Sequence, residues 1–202
     1  MTLAIGKHLD APLHALHDTP FGTVAALWSV DGGAANICRI LLSKPETPAE
    51  LALAALFPLS KTASCPEVDD LFARIDAFLN GEPIRFSLDA VRLDLCSAFQ
   101  QSVLRAEHAI PRGSVSTYHL IARQLHKPNG ARAVGTALAK NPFPIVVPCH
   151  RAIRSDGALG GYQGGLKMKR ALLEMEGVAF RDRDHVSVRD FHYGDREAFE
   201  AR

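Results

Sequence analysis

With 202 residues, of which 47% are apolar, the chain can bury a core as one large domain or two small ones, and it reads as a soluble globular protein. No apolar run approaches the roughly 20 residues a membrane helix needs, and no basic, apolar, small-residue leader follows Met1, so a cytoplasmic protein without membrane contact is expected. The net charge of +1 conceals an asymmetry: residues 101 to 170 hold 11 Lys and Arg against 2 acids, or +9, leaving −8 elsewhere, which directs a polyanion to the middle of the chain unless that face is simply solvated.

The first elements are strand-like. "GTVAALWSV", a turn at Asp31 to Gly33, and "ICRILLS" predict a hairpin. Val68, Leu71, Phe72, Ile75 and Leu79 then recur at helical spacing up to Gly81, and "IRFSLD" alternates Ile84, Phe86 and Leu88 as a half-buried strand does. Residues 1 to 90 thus read as a small α/β domain without a chemical signature.

From Ser97 the period is helical, with Phe99, Val103, Ala106 and Ile110 on one stripe before "PRG". Ser116 or Thr117 can cap a second helix whose inner face is Tyr118, Ile121, Ala122 and Leu125. After the turn "PNG", "ARAVGTALAK" forms a third helix that must end near Asn141, since Pro142 and Pro144 follow. Two helices joined by a short Gly-containing turn match a helix-turn-helix, although helical hairpins are also common in cores.

The third helix is thin, because Ala131, Ala133, Gly135, Ala137 and Ala139 give it little side-chain bulk. A helix with ordinary side chains is about 10 to 12 Å across and a B-form minor groove about 6 Å wide, so small residues ease groove entry. Close helix packing uses the same residues, but Arg132 at the start argues for an exposed, phosphate- or base-facing end.

"PIVVPCHR" puts Cys149 beside His150 and Arg151, groups that favour a thiolate, so Cys149 is a candidate nucleophile. The following "AIRSDGALGGYQGG" is rich enough in glycine to wall a pocket but matches no phosphate-loop pattern. "LKMKRALLEMEG" is a helix with Met168, Leu172 and Met175 on one stripe and Glu176 in its last turn. The helix dipole disfavours negative charge there, so Glu176 suits a cationic or hydrogen-bonding partner such as His150. A solvated Glu and a satisfied core His remain the alternative. The four cysteines form no CxxC pair, which fits a reducing compartment, and residues 178 to 202 mix charges without a period.

"RAVGTALAKNPFPIVVPCHRAIRSDGALGGYQGGLKMKRALLEMEG", preceded by "FQQSVLRAEHAIPRGSVSTYHLIA", resembles the active-site domain of the O6-alkylguanine-DNA alkyltransferases, the methylated-DNA–protein cysteine methyltransferases, over about residues 97 to 178. Residues 1 to 90 resemble that family's amino-terminal domain only through "TPFGTVAALWSVDG". The expected fold is an α/β amino-terminal domain (1–90), then a mostly α-helical, winged-helix-like domain with a helix-turn-helix (91–180), then a tail (181–202).

The resemblance implies that Cys149 is the alkyl acceptor, activated by His150 through a water and by Glu176. It further implies that Asn141 braces the cysteine turn and that Tyr118 protonates the departing guanine. Arg132 would replace the extruded base while the thin helix, with Ala131 and Gly135, lies in the minor groove. Backbone groups of Cys149 and Ala152, the ring of Tyr162 and the loop residue Gln163 would surround the base.

Gln163 and Arg112 depart from residues common in the family and leave the tolerated adduct size open. No cofactor is implied. His8, His14, His17, Cys38 and Cys65 make no recognisable zinc pattern. The expectation is a monomer that repairs double-stranded DNA containing O6-alkylguanine by one irreversible transfer per molecule. A lesion-binding protein without transfer is the rival, and a cysteine hydrolase is less apt because adjacent Cys and His rarely face each other and the basic window would be left over.

Overall fold

The structure, a computed structural model, describes residues 12–188 and 190–194. It divides into two compact units. The first takes residues up to Cys96 together with Pro142–Val146, and the second takes Ser97–Asn141 and the chain from Val147 onward.

In the first unit β1 (Leu13–His17), β2 (Val24–Asp31), β3 (Ala34–Leu42) and the short β4 (Lys61–Thr62) form one sheet in the order β3-β2-β1-β4. The β2–β3 hairpin is the one expected. Its turn needs left-handed backbone at two successive residues, and Gly32 and Gly33 supply it at φ 60° and 85°. From Val24 to Trp28 every residue is buried, without alternation, because both faces of β2 are covered. Helix α1 (Ala49–Leu56) packs Ala49 and Leu53 against Ala25, Leu27 and Leu41. Helix α2 (Pro66–Leu79) buries Val68, Leu71, Phe72, Ile75 and Leu79, as its spacing predicts.

"IRFSLD" is not a strand. Residues 84–88 alternate in burial but pair with no ladder, and Leu88–Ala90 turn into a 3-10 helix. The segment lies against α2 instead of a sheet edge: Phe86 meets Phe78 edge-on at 6.0 Å between ring centres, and the Arg74 guanidinium donates to Arg85 O. Period-two burial therefore reports a half-covered surface here, not sheet membership.

In the second unit α3 (Ala98–His108), α4 (Tyr118–Gln124) and α5 (Ala131–Ala139) pack on one another. Ser97 Oγ caps α3 by accepting from Gln100 N, and Thr117 Oγ1 caps α4 by accepting from Leu120 N. The link from α4 to α5 runs from Leu125 to Gly130, longer than the "PNG" turn, with His126 in left-handed backbone at φ 56°. Two short parallel strands, β5 (Ser116–Thr117) and β6 (Ala152–Ile153), and α6 (Gly165–Met175) complete the unit.

The region beyond Val178 has structure that its charge pattern does not announce. Val178 and Val186 sit in a buried cluster with Val115, Ile153, Leu159 and Leu173, against which Phe180, Val188 and Phe191 pack. Tyr193 Oη donates to Ala106 O, and Ser116 Oγ donates to His192 O, so His192 and Tyr193 are tied to β5 and α3. Residues 195–202 lie outside the described part of the chain. No described helix is long and apolar enough to cross a membrane.

Candidate active site

Cys149, His150 and Arg151 make a single 3-10 turn between the Pro142–Val146 segment and β6. The β-branched run before it is not a strand. Ile145 holds φ 74°, a conformation that costs a β-branched residue about 1–3 kcal/mol and clusters near functional sites. Asn141 Nδ2 donates to Val147 O at 3.1 Å and its side chain also bonds toward the Cys149 thiol, so it braces the turn from α5's end. The ladder of β6 with β5 brings the strand leaving the cysteine turn alongside the strand that leads into Tyr118.

His150 and Arg151 both turn to Glu176. The carboxylate accepts from Arg151 Nε at 2.9 Å and Nη2 at 2.7 Å, and its Oε1 lies 3.0 Å from His150 Nε2. Arg151 also donates to Ile110 O at 2.6 Å. All three side chains are buried. Burial alone would raise the Glu176 pKa, but the hydrogen bonds from His150 and Arg151 and the charge of the Arg151 guanidinium outweigh it and hold the group at about 2. Burial pushes His150 below its ordinary value despite Glu176, so the imidazole is neutral at neutral pH. The pairing of His150 with Glu176 was legible in sequence; the bidentate Arg151 was not.

The thiol itself departs from expectation. Neighbouring His150 and Arg151 suggested a lowered pKa, yet Cys149 is 5% exposed and burial pushes it up to about 12, with Asn141 pulling it down and Glu107 pushing it further up. Sequence adjacency misleads because both basic groups are already committed to Glu176. At neutral pH the group is therefore a thiol.

Two buried charges escaped the sequence reading. Glu107 sits on the inner stripe of α3, and Lys169 on that of α6, each with 0% exposure. Lys169 Nζ donates to Ala152 O at 2.6 Å and Leu159 O at 2.5 Å, and desolvation lowers its pKa to about 8. Helical period places both residues one position beside apolar neighbours, and that was the available signal.

Tyr118 is half-buried, and burial, then Glu107 and Cys149, push its phenol to about 12. Gly160 permits its position: a Cβ there would stand 2.9 Å from Tyr118 Oη, and the backbone is left-handed at φ 66°. Tyr162 stands edge-on to His150 at 6.2 Å, with its hydroxyl buried and without a hydrogen-bond partner among the described residues. Cys149 also acts on the Tyr162 pKa, which burial raises well above its ordinary value. Ala152 is fully buried and its carbonyl is taken by Lys169, while Gln163 Nε2 donates to Asn141 O at 2.6 Å.

The other predicted group lies on the surface of α5. Arg132, Ala133 and Thr136 are exposed, Ala131 and Gly135 half-buried, and Val134, Ala137 and Leu138 face inward. An open depression of about 750 Å³ is lined by Asn129, Ala131, Arg132, Ala133 and Thr136. Of the eleven basic residues between 101 and 170, seven are exposed, while Arg151 and Lys169 are interior and cannot meet a polyanion. Arg112 donates to Met175 O at 3.0 Å.

The residues weighed for zinc have other neighbours: His17 bonds Asp76 at 2.7 Å, His14 lies 3.1 Å from Thr62 Oγ1, and Cys38 donates to Asn36 O. His8 lies outside the described residues. Among the described residues no three His, Cys, Asp or Glu converge on a metal-sized site.

A family model for the 6-O-methylguanine DNA methyltransferase DNA-binding domain matches residues 98–178. A methylated-DNA–protein-cysteine methyltransferase of Methanothermobacter thermautotrophicus is 46% identical over 112 residues, 55% of this chain and 62% of that protein, so the match spans under two thirds of the relative. The protein of the same name from Saccharolobus islandicus is 43% identical over 109 residues, 54% of this chain and 69% of its own. The crystal structure of Mycobacterium tuberculosis OGT in complex with DNA superposes with a TM-score of 0.64 at 31% identity, covering 81% of this chain and 92% of that one.

Proposed function

The chain belongs to the methylated-DNA–protein-cysteine methyltransferase family, and from that premise we propose that it transfers an alkyl group from O6 of guanine in duplex DNA to Cys149 Sγ, once per molecule. The observation that carries this is the buried fork of His150 and Arg151 on Glu176, built on the same turn as a buried cysteine. The relatives' names and the DNA complex of the mycobacterial protein support the substrate class.

The exposed face of α5 enters the minor groove, where its small side chains permit close approach. O6 lies within the base stack, so the nucleotide turns out into the protein at a cost of a few kcal/mol, and Arg132 takes its place. The exposed basic residues supply sequence-independent phosphate affinity that falls with salt.

In the pocket, the Cys149 proton passes directly or through water to His150, whose cationic form Glu176 stabilises across the 3.0 Å contact. Sγ attacks the alkyl carbon in line. The S–C bond forms, the C–O6 bond breaks, its electron pair goes to guanine, and Tyr118 protonates the leaving base. The product is a thioether with no carbonyl for water to attack, so it persists.

Incubation with a duplex carrying radiolabelled O6-methylguanine tests the reading: label on the protein, saturating at one equivalent, is expected. Tight binding without transfer would replace it with a lesion sensor, and catalytic ester or peptide turnover with a hydrolase.

Two substitutions probe the parts. Arg132→Ala is expected to slow repair in duplex DNA by at least about tenfold while leaving reaction with a free O6-substituted guanine unchanged; equal losses on both would remove the arginine from base extrusion. Gly160→Ala forces Tyr118 from its place, and a shift of about 1 Å there is expected to slow transfer about 10²-fold while alkylation of Cys149 by a small reagent continues.

A further inference from the structure

The chain after Val178 has no part in the chemistry above, yet its backbone is joined to the wall of the site. Residues 179–181 and 185–187 fold back on each other as a hairpin. Phe180 bridges Val186, Arg181 N donates to His185 O at 3.1 Å, and Ser187 N donates to Ala179 O at 2.7 Å. Asp182 closes the turn, its Oδ1 accepting from Asp184 N and His185 N, both at 2.9 Å.

The returning arm pairs with the glycine-rich loop. Ala158 bridges His185, Leu159 N donates to Asp184 O, and Val186 N donates to Gly157 O, each bond at 3.0 Å. On the loop's other edge Arg154 N, directly after β6, donates to Ala158 O at 2.9 Å. The strand leaving the cysteine turn, the loop and both arms of the hairpin therefore lie edge to edge in one ladder of backbone hydrogen bonds. Beneath it Leu159 and Val186 share a buried cluster with Ile153 and Leu173.

Helix α6 fastens this ladder from two sides. Arg170 Nη1 donates to Asp182 O at 2.9 Å and to Arg183 O, and its guanidinium lies 4.1 Å over the Phe180 ring. From the interior, Lys169 Nζ holds Leu159 O and Ala152 O. Leu159 is thus fixed by its amide to the hairpin, by its carbonyl to α6 and by its side chain to the cluster. The next residue, Gly160, abuts Tyr118 Oη, and Tyr162 further along faces the His150 ring. Displacing the hairpin displaces this wall.

Resting on Cys149 as the alkyl acceptor, we infer that the 179–187 hairpin is a specificity-determining element that holds the loop from Gly157 to Tyr162 in place and so limits the size of alkyl group that reaches the thiol. Cys149 is 5% exposed, so a base and its adduct need the wall to yield. A benzyl group needs more room than a methyl group, and a firmly braced wall selects against it.

The test uses the full chain with Arg170→Ala, which removes the clamp, and Asp182→Ala, which removes the cap of the turn. Asp182 is exposed and Arg170 partly so, and either variant can decide if the other fails to fold. Hydrogen exchange at the Leu159 amide reads the brace directly, because that amide donates to Asp184 O. Exchange there is expected to quicken about tenfold, and the ratio of transfer rates from free O6-benzylguanine and free O6-methylguanine to rise about tenfold over wild type. Faster exchange with an unchanged ratio, or unchanged exchange in both variants, would overturn the inference. The same ratio measured at Cys149 with a benzyl halide and methyl iodide needs no guanine. A protein that accepts nothing from either base would therefore sink the repair reading while the brace is still decided.

Discussion

Cys149→Ala is expected to abolish label transfer from O6-alkylguanine DNA, with a loss on the order of 10⁴-fold or more, while duplex binding stays within about twofold. Alanine keeps the Cβ and removes the only atom that can form the thioether. The substituted site loses little volume, so the fold should persist at a cost of about 1 kcal/mol, readable as a small fall in melting temperature. Cys38 and Cys96 are buried in the first unit with raised pKa values, Cys96 to about 11, and Cys65 starts α2 in that same unit. Label appearing on any of these in the variant would refute Cys149 as the acceptor.

Glu176→Gln carries the second large effect, on stability and reactivity together. The carboxylate neutralises Arg151 and faces His150 inside the protein, so the amide leaves a buried guanidinium without its counter-charge. Breaking a buried pair from one side costs about 3–5 kcal/mol, and the expected result is a fall in stability of that order in denaturant. Reaction of Cys149 with a small alkylating agent should slow as well, since the imidazole loses the group that stabilises its cation. Unchanged reactivity would remove the relay.

A pH signature separates this pair from general loss of packing. The folded-state pKa of Glu176, about 2, lies below its ordinary value, so the carboxylate's contribution is fully present above about pH 4.5 and is lost as pH falls toward 2. Wild type should therefore lose about 3 kcal/mol relative to Glu176→Gln across that window. Parallel acid denaturation curves for the two proteins would contradict the ion pair.

Much of the architecture was readable before any coordinates. The β2–β3 hairpin follows from two apolar runs around "DGG", α2 from its period, the start of α3 from the helical period that begins at Ser97, and the start of α4 from a cap at Ser116 or Thr117, because these features are short-range and recur within a few residues. "IRFSLD" failed for the complementary reason: alternation reports which side is covered, and α2 covered it where a sheet was assumed. The segment from Val178 escaped because its buried residues, Val178 and Val186, and the partly buried Phe191 are too widely spaced for a period.

By itself the sequence determined where Cys149, Tyr118 and the small-residue helix stand along the chain, and that a carboxylate at the end of α6 wants a cationic partner. These are consequences of residue type and local spacing. Tertiary structure alone decided that Arg151 completes the fork on Glu176, that Glu107 and Lys169 share the interior with the thiol, and that the thiol rests protonated. Those outcomes are sums of desolvation and charge over groups brought together from α3, the cysteine turn and α6. Such sums depend on distance through the folded protein, which no spacing along the chain encodes.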